Sequence, residues 1–178
     1  MKASTIMKRI RFAACALVFA VAPNLQAQEA SPTCAAPVAA TGEFASWNTP
    51  QDVRAAGSNS QTSQAVLALG QAARVALLPT PQVRYPVRPE QPGGSVSYGG
   101  LMRLDVTEAG TYRVALGSAA WLDLVRSGEF MESTAHGRGP DCTSIRKMVS
   151  FPLTPGHYVL QIAASGEPQT TVLVTKLP

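Results

Sequence analysis

Hydrophobic and polar positions alternate through much of the second half of the chain. Met102, Leu104 and Val106 share one parity while Arg103 and Asp105 share the other, the pattern of a strand with one buried and one wet face. The segment "TEAG" then turns the chain, and Tyr112, Val114 and Leu116 repeat the alternation against Thr111, Arg113 and Ala115. The two runs together predict a hairpin. Trp121–Arg126 is followed by Ser127-Gly128, a two-residue turn signal, and residues 129–134 are predicted to return beside it. Residues 145–153 and 157–164, joined through "TPG", predict a further hairpin with Tyr158, Leu160 and Ile162 pointing inward, and "SGEP" punctuates before a last strand over 170–176.

Upstream the pattern is weaker. Residues 65–69 and 73–78 flank Gly70-Gln71 and predict a hairpin, the alanine content of the first leaving helix as its alternative. Residues 79–94 contain five prolines and end in Gly93-Gly94, which predicts a loop or an extended strap lying along an edge, because proline fixes φ and offers no amide donor. "GEFASW", residues 42–47, supplies two aromatics for a short strand or an edge plug, and residues 49–62 are polar and turn-forming. About eight short strands at intervals of about ten residues predict an all-β fold, an antiparallel β-sandwich of jelly-roll or immunoglobulin-like type. The expected organisation is an extended N-terminal leader over 28–63 and a single β-sandwich domain over 64–178.

The first residues change the picture of where this domain works. Lys2, Lys8, Arg9 and Arg11 precede an apolar run over 12–22, and Ala27 offers a small residue for cleavage, which together predict a signal peptide over 1–27. The run is short for a bilayer span. The mature chain is therefore expected to be periplasmic or secreted, without membrane insertion after cleavage. The net charge of +4 belongs to that segment: four of the 15 basic residues precede Gln28 and none of the 11 acidic ones does, which leaves 11 against 11. No basic stripe interleaved with aromatics remains, so nucleic acid is not an expected partner. Of the three cysteines, Cys15 leaves with the signal, and an even pair in an oxidising compartment predicts a Cys34 to Cys142 disulfide. Such a bond closes a loop of roughly 100 residues, worth about 4 to 5 kcal/mol on the chain-entropy account.

Candidate chemistry concentrates in "AHGRGPDCTSIRKM", residues 135–148. Gly137, Gly139 and Pro140 predict a tight irregular loop leading into Cys142. The functional alternative has its bared amides and Arg138 hold an anion, with His136 as proton donor or ligand; Arg146-Lys147 reads as a solvated strand face. His136 and His157 are the two histidines, so a three-histidine zinc site is excluded within one chain, while a two-histidine, one-carboxylate site with Glu132, Glu129 or Asp141 is open on numbers alone. In an extended segment Glu132 and His136 share a face but stand about 13 Å apart. His157 opposes the inward parity of its strand and reads as exposed. Motifs for a serine elbow, a phosphate loop, a zinc helix or a dithiol are absent from the sequence.

The runs "GGLMRLDVTEAGTYRVALGSAAWLDLV" and "AHGRGPDCTSIRKMVSFPLTPGHYVLQI" resemble a group of short exported proteobacterial proteins over most of the mature chain. The layout is also similar to the bacterial pre-peptidase C-terminal type of β-sandwich, with "AGTYRVAL" and "TPGHYVLQI" as strand-forming pieces. Some members of the short group carry the name homogentisate 1,2-dioxygenase. That name implies iron held by two histidines and a glutamate on a long cytoplasmic cupin-like chain. This sequence has no H-x-H pair to match it, and His136, His157 and Glu132 form the sole trio on which such a site would draw.

The function expected from these observations is a non-catalytic accessory or interaction module of the cell envelope, with no cofactor and with an envelope protein or a small ligand as partner. The alternative is a metal-dependent, dioxygenase-like enzyme using His136 and His157. The expected contact region is the loop over 132–142, with His136, Arg138 and Asp141, joined by Trp121, Tyr98 and the proline strap. Trp121 is expected to pack in the core rather than to serve a ligand.

Overall fold

The structure, a computed structural model, describes residues 34–178; the expected signal peptide lies outside the described residues. Among the described residues twelve strands form two mixed sheets. Sheet one runs in the order β1 (Gln51–Arg54), β3 (Ala73–Ala76), β12 (Gln169–Lys176), β6 (Gly110–Leu116), β10 (Lys147–Leu153) and β9 (Ala135–Gly137). Sheet two runs β2 (Val66–Leu67), β5 (Tyr98–Val106), β11 (Gly156–Ser165), β7 (Trp121–Arg126) and β8 (Glu129–Phe130), with β4 (Leu78–Pro79) also pairing with β5. Twelve strands replace the expected eight or so because several pieces are only two or three residues long. Two pairings are parallel, β1 with β3 and β2 with β5, so the expectation of a purely antiparallel arrangement is corrected.

The inward parities are as expected. Met102, Leu104, Tyr112, Val114, Tyr158, Leu160 and Ile162 are buried in one cluster shared by both sheets, which is how an alternating strand removes one face from water. The expected partners differ. The strands on either side of "TEAG", of "TPG" and of "SGEP" lie in opposite sheets, so these three turns are arches from one sheet to the other rather than hairpins. The same holds at Gly70-Gln71, which separates β2 of sheet two from β3 of sheet one. An arch and a hairpin use similar turn residues and both preserve an inward parity, so alternation alone does not separate them. The turn at Ser127-Gly128 does close a hairpin, with Arg126 opposite Glu129; both turn residues have positive φ, 53° and 82°, as a type I′ turn requires.

Two arches share a tyrosine device. In "TEAGTY" the Tyr112 hydroxyl donates to the Glu108 carbonyl four residues back, and in "TPGHY" the Tyr158 hydroxyl donates to the Thr154 carbonyl at the same spacing. Each phenol caps main chain that has left one sheet and not yet joined the other.

The segment read as an extended leader is built into the fold from Ala40 onward. A 3-10 helix, Gly42–Asn48, lies on the outer face of sheet one and buries Phe44 and Trp47 against Ala72, Ala115, Ile145 and Leu173. It covers a face rather than plugging an edge. The Asn48 side chain clamps Ala40 by accepting from its N–H and donating to its carbonyl, and Glu43 pairs with Arg113 at 2.9 Å. The proline-rich segment crosses the outer face of sheet two: Tyr85 donates to the Ile162 carbonyl, and the fully buried Gln161 side chain pairs with both the N–H and the carbonyl of Val87. Gly99 leaves the space this strap needs, since a Cβ there would stand 2.6 Å from the Ile162 carbonyl and run into the Tyr85 hydroxyl.

Candidate functional site

The loop over 132–142 begins where sheet two ends. After β8, Met131 N–H still bonds to the Leu124 carbonyl, and three residues later Thr134 N–H bonds to the Ser150 carbonyl of sheet one. The chain thus spans from the edge of one sheet to the edge of the other, and β9 then pairs with β10, His136 opposite Val149. Because β9 is an edge strand with all three residues exposed, His136 faces solvent. Its Nε2 lies 2.6 Å from the Ser133 hydroxyl.

Past β9 the bend is held from several sides. Gly139 lies so close to Ile145 that a Cβ there would meet that side chain and stand 2.6 Å from its carbonyl oxygen. The Pro140 carbonyl accepts from the N–H and the hydroxyl of Thr143. Cys142 adopts φ of 61° and is bridged to Cys34, with Cα atoms 5.4 Å apart and a sequence separation of 108. The neighbouring Val38 N–H donates to the Cys142 carbonyl. Trp47 Nε1 donates to the Ser144 hydroxyl, and Ile145 is buried beneath the 3-10 helix. The expected disulfide and tight loop are both present, and Arg138 and Asp141 are left exposed on that pinned backbone.

The other expected contacts are dispersed. Trp121 is half-buried on the outward face of β7, where Nε1 donates to Asp123 Oδ2 at 2.9 Å and Lys147 Nζ stands 5.4 Å from the ring centroid. It does not join the core cluster, contrary to expectation, because Leu122 and Leu124 take the inward parity of that strand. Lys147 is correspondingly not a bare solvated cation: it covers the indole and donates to the Ala120 carbonyl. Burial pushes the Asp123 carboxyl above the usual range, and bonds from Trp121 and Gln161 with the charge of Lys147 oppose that shift in part. Tyr98, half-buried at the start of β5, is separated from β8 by β11 and β7, so sheet order keeps it away from the loop.

His157 lies on the outward face of β11 with its side chain 80 % exposed. Its Nδ1 sits 2.6 Å from Asp105 Oδ1, while Arg103 donates to Oδ2 at 2.9 Å. The hydrogen bond from His157 is the largest influence holding the Asp105 carboxyl below its ordinary value; the Arg103 charge adds to it. His136 belongs to sheet one and His157 to sheet two, each with its own partner. Glu132 is exposed on the crossing segment. The trio His136, His157 and Glu132 is therefore not brought together, and among the described residues no group of three histidine, cysteine, aspartate or glutamate side chains is arranged to hold a metal ion. These residues do not fit the iron centre that the dioxygenase name implies.

One feature escaped the sequence reading. A recess of about 450 Å³ lies beside the β7–β8 hairpin, lined by Arg126, Glu129, Phe130, Met131, Glu132 and Pro152. Phe130 is 44 % exposed at its rim. The signal was available in the hairpin turn, which places an aromatic on a two-residue edge strand next to the loop already singled out. The recess and the loop meet at Glu132.

Among the described residues no helix is long and apolar enough to cross a membrane. No protein-family model matches the chain, and no curated protein matches it either.

Proposed function

We infer that the chain is an exported, non-catalytic β-sandwich that acts as an interaction module of the cell envelope, and that it holds a protein partner through the recess at Phe130 and the adjoining loop over 132–142. The observation that carries this reading is the juxtaposition of an exposed aromatic in a recess with a polar loop whose backbone is held on both flanks. An aromatic anchor ringed by polar groups is the common anatomy of a protein interface, and a loop already ordered before binding loses less entropy on association. His136, Arg138 and Asp141 provide the polar rim, with hydrogen-bonding and charge but no shared reacting centre. Export is supported by the charged and apolar N-terminal pattern and by the disulfide, which persists in oxidising compartments.

The test is photo-crosslinking in cells that produce the full chain, with a photoreactive residue at Arg138 or, as a control, at exposed Glu167. The reading expects a discrete adduct from position 138 that is lost when Phe130→Ser is added, and none from position 167. An adduct confined to position 167, or one from 138 indifferent to Phe130, overturns it.

A further inference from the structure

β1 is the outermost strand of sheet one. On its inner side Gln51 N–H donates to the Ala72 carbonyl and Ala55 N–H to the Ala76 carbonyl. The N–H and C=O of one strand residue point to the same side and alternate along the chain, so residues 51, 53 and 55 address β3 while Asp52 and Arg54 turn their main-chain groups outward. Proteins ordinarily blunt such an edge with a bulge, a proline, brevity or charged side chains; of these β1 carries only charges, and they are of opposite sign at its two outward-facing positions, Asp52 and Arg54. The outer strands β2 and β8 have two residues each and β9 has three, whereas β1 has four, in unbroken register with β3 and without internal proline. A recess of about 590 Å³ runs beside it, lined by Asp52, Val53, Arg54, Arg74, Ala76 and Gln169.

We propose that this edge joins two copies of the chain, paired antiparallel about a two-fold axis through Val53. In that register Asp52 opposes the partner's Arg54, and Arg54 opposes the partner's Asp52. Both positions carry outward N–H and C=O groups, so both become hydrogen-bonded pairs, and Val53 meets the partner's Val53 as the intervening non-bonded pair. Sliding by one residue sets an outward-facing amide against an inward-facing one. Centring the axis on residue 52 or 54 keeps the main-chain bonds but sets like charges opposite each other. Hydrogen bonding and charge therefore select the same register, and one patch serves both copies, as a two-fold interface demands. The charges are available: among the described residues Asp52, 80 % exposed, pairs only with Arg74 at 3.3 Å, and Arg54 pairs with no carboxylate. The interface lies at the far end of sheet one from β9, so it does not depend on the function proposed for the loop.

Sedimentation velocity on the purified chain tests it with two variants, Asp52→Arg and Arg54→Asp. The unmodified chain should shift from monomer toward dimer as its concentration rises. Each variant places two like charges in the register and should weaken self-association by about tenfold or more. An equimolar mixture of the two restores opposite charges across the axis and should form the heterodimer, which also establishes that both variants fold. A chain monomeric at every concentration, a variant that still dimerises, or a mixture that stays monomeric would each overturn the proposal.

Discussion

Replacing Tyr158 by phenylalanine removes one oxygen atom from the arch between β10 and β11. The Tyr158 residue is 1 % exposed, and its hydroxyl makes three contacts: it donates to the Thr154 carbonyl at 2.8 Å and accepts from Thr154 N–H at 3.1 Å and from Arg126 at 3.0 Å. An unsatisfied buried main-chain group costs about 1 to 3 kcal/mol. Thr154 is exposed and Arg126 also bonds to the Thr154 hydroxyl and the Pro155 carbonyl, so water and these bonds recover part of the loss. The expected cost is about 2 kcal/mol, which for a domain of this size lowers Tm by roughly 4 to 8 °C. Tyr112→Phe provides an internal comparison, because among the described residues that hydroxyl has the single partner Glu108 at 2.9 Å and its loss should cost about 1 kcal/mol. Urea unfolding followed by tryptophan fluorescence reads both, with Trp47 reporting on sheet one and Trp121 on sheet two. If Tyr158→Phe proves no more costly than Tyr112→Phe, the arch is not held by its phenol and the reasoning fails.

Removing the staple with Cys34→Ser and Cys142→Ser together should lower stability by about 2 to 5 kcal/mol, since a 108-residue separation gives the unfolded chain a long loop to release; a change below about 1 kcal/mol in denaturant titration would contradict this. Asp123→Asn should stabilise the fold at neutral pH. Burial raises the carboxyl's folded-state value, so the folded protein binds the proton more tightly than the unfolded one, and the cost of the charge is fully present above the folded value. The advantage of the amide should shrink as pH falls through that value toward about 4, and a difference that grows on acidification in thermal melts would contradict the assignment.

Much of the architecture was legible because its cause is local. The parities of Met102, Tyr112 and Tyr158 follow from a two-residue repeat, the turn at Ser127-Gly128 from the tolerance of positive φ, and the Cys34 to Cys142 bond from the even cysteine count and the expected export. Of the site, the tight bend after His136 was legible in its glycines and proline, and the exposure of His157 in its position opposite Tyr158. Trp121 was misjudged because an aromatic on a strand packs well on either face; its neighbours Leu122 and Leu124 had the stronger claim on the inward one. The hairpin turn signalled an edge aromatic at Phe130, but the recess around it was not visible, since it depends on Pro152 from a different sheet standing beside the hairpin.

Alternating polarity and turn chemistry, both properties of neighbouring residues, were enough to specify the longer strands, their inward faces and the tight bend after His136, but not the short pieces such as β1, which lies in a stretch read as turn-forming. Which strand lies beside which was settled only by folding. Stacking two sheets around one core rewards a chain that passes from sheet to sheet after Val106, Leu153 and Ser165, and those three crossings bury Tyr112 and Tyr158 with their hydroxyls over the bends or bring β12 between β3 and β6. The same stacking parts His136 from His157 and stands Pro152 beside Phe130, because proximity across sheets is a sum over many long-range contacts that no single stretch of sequence contains.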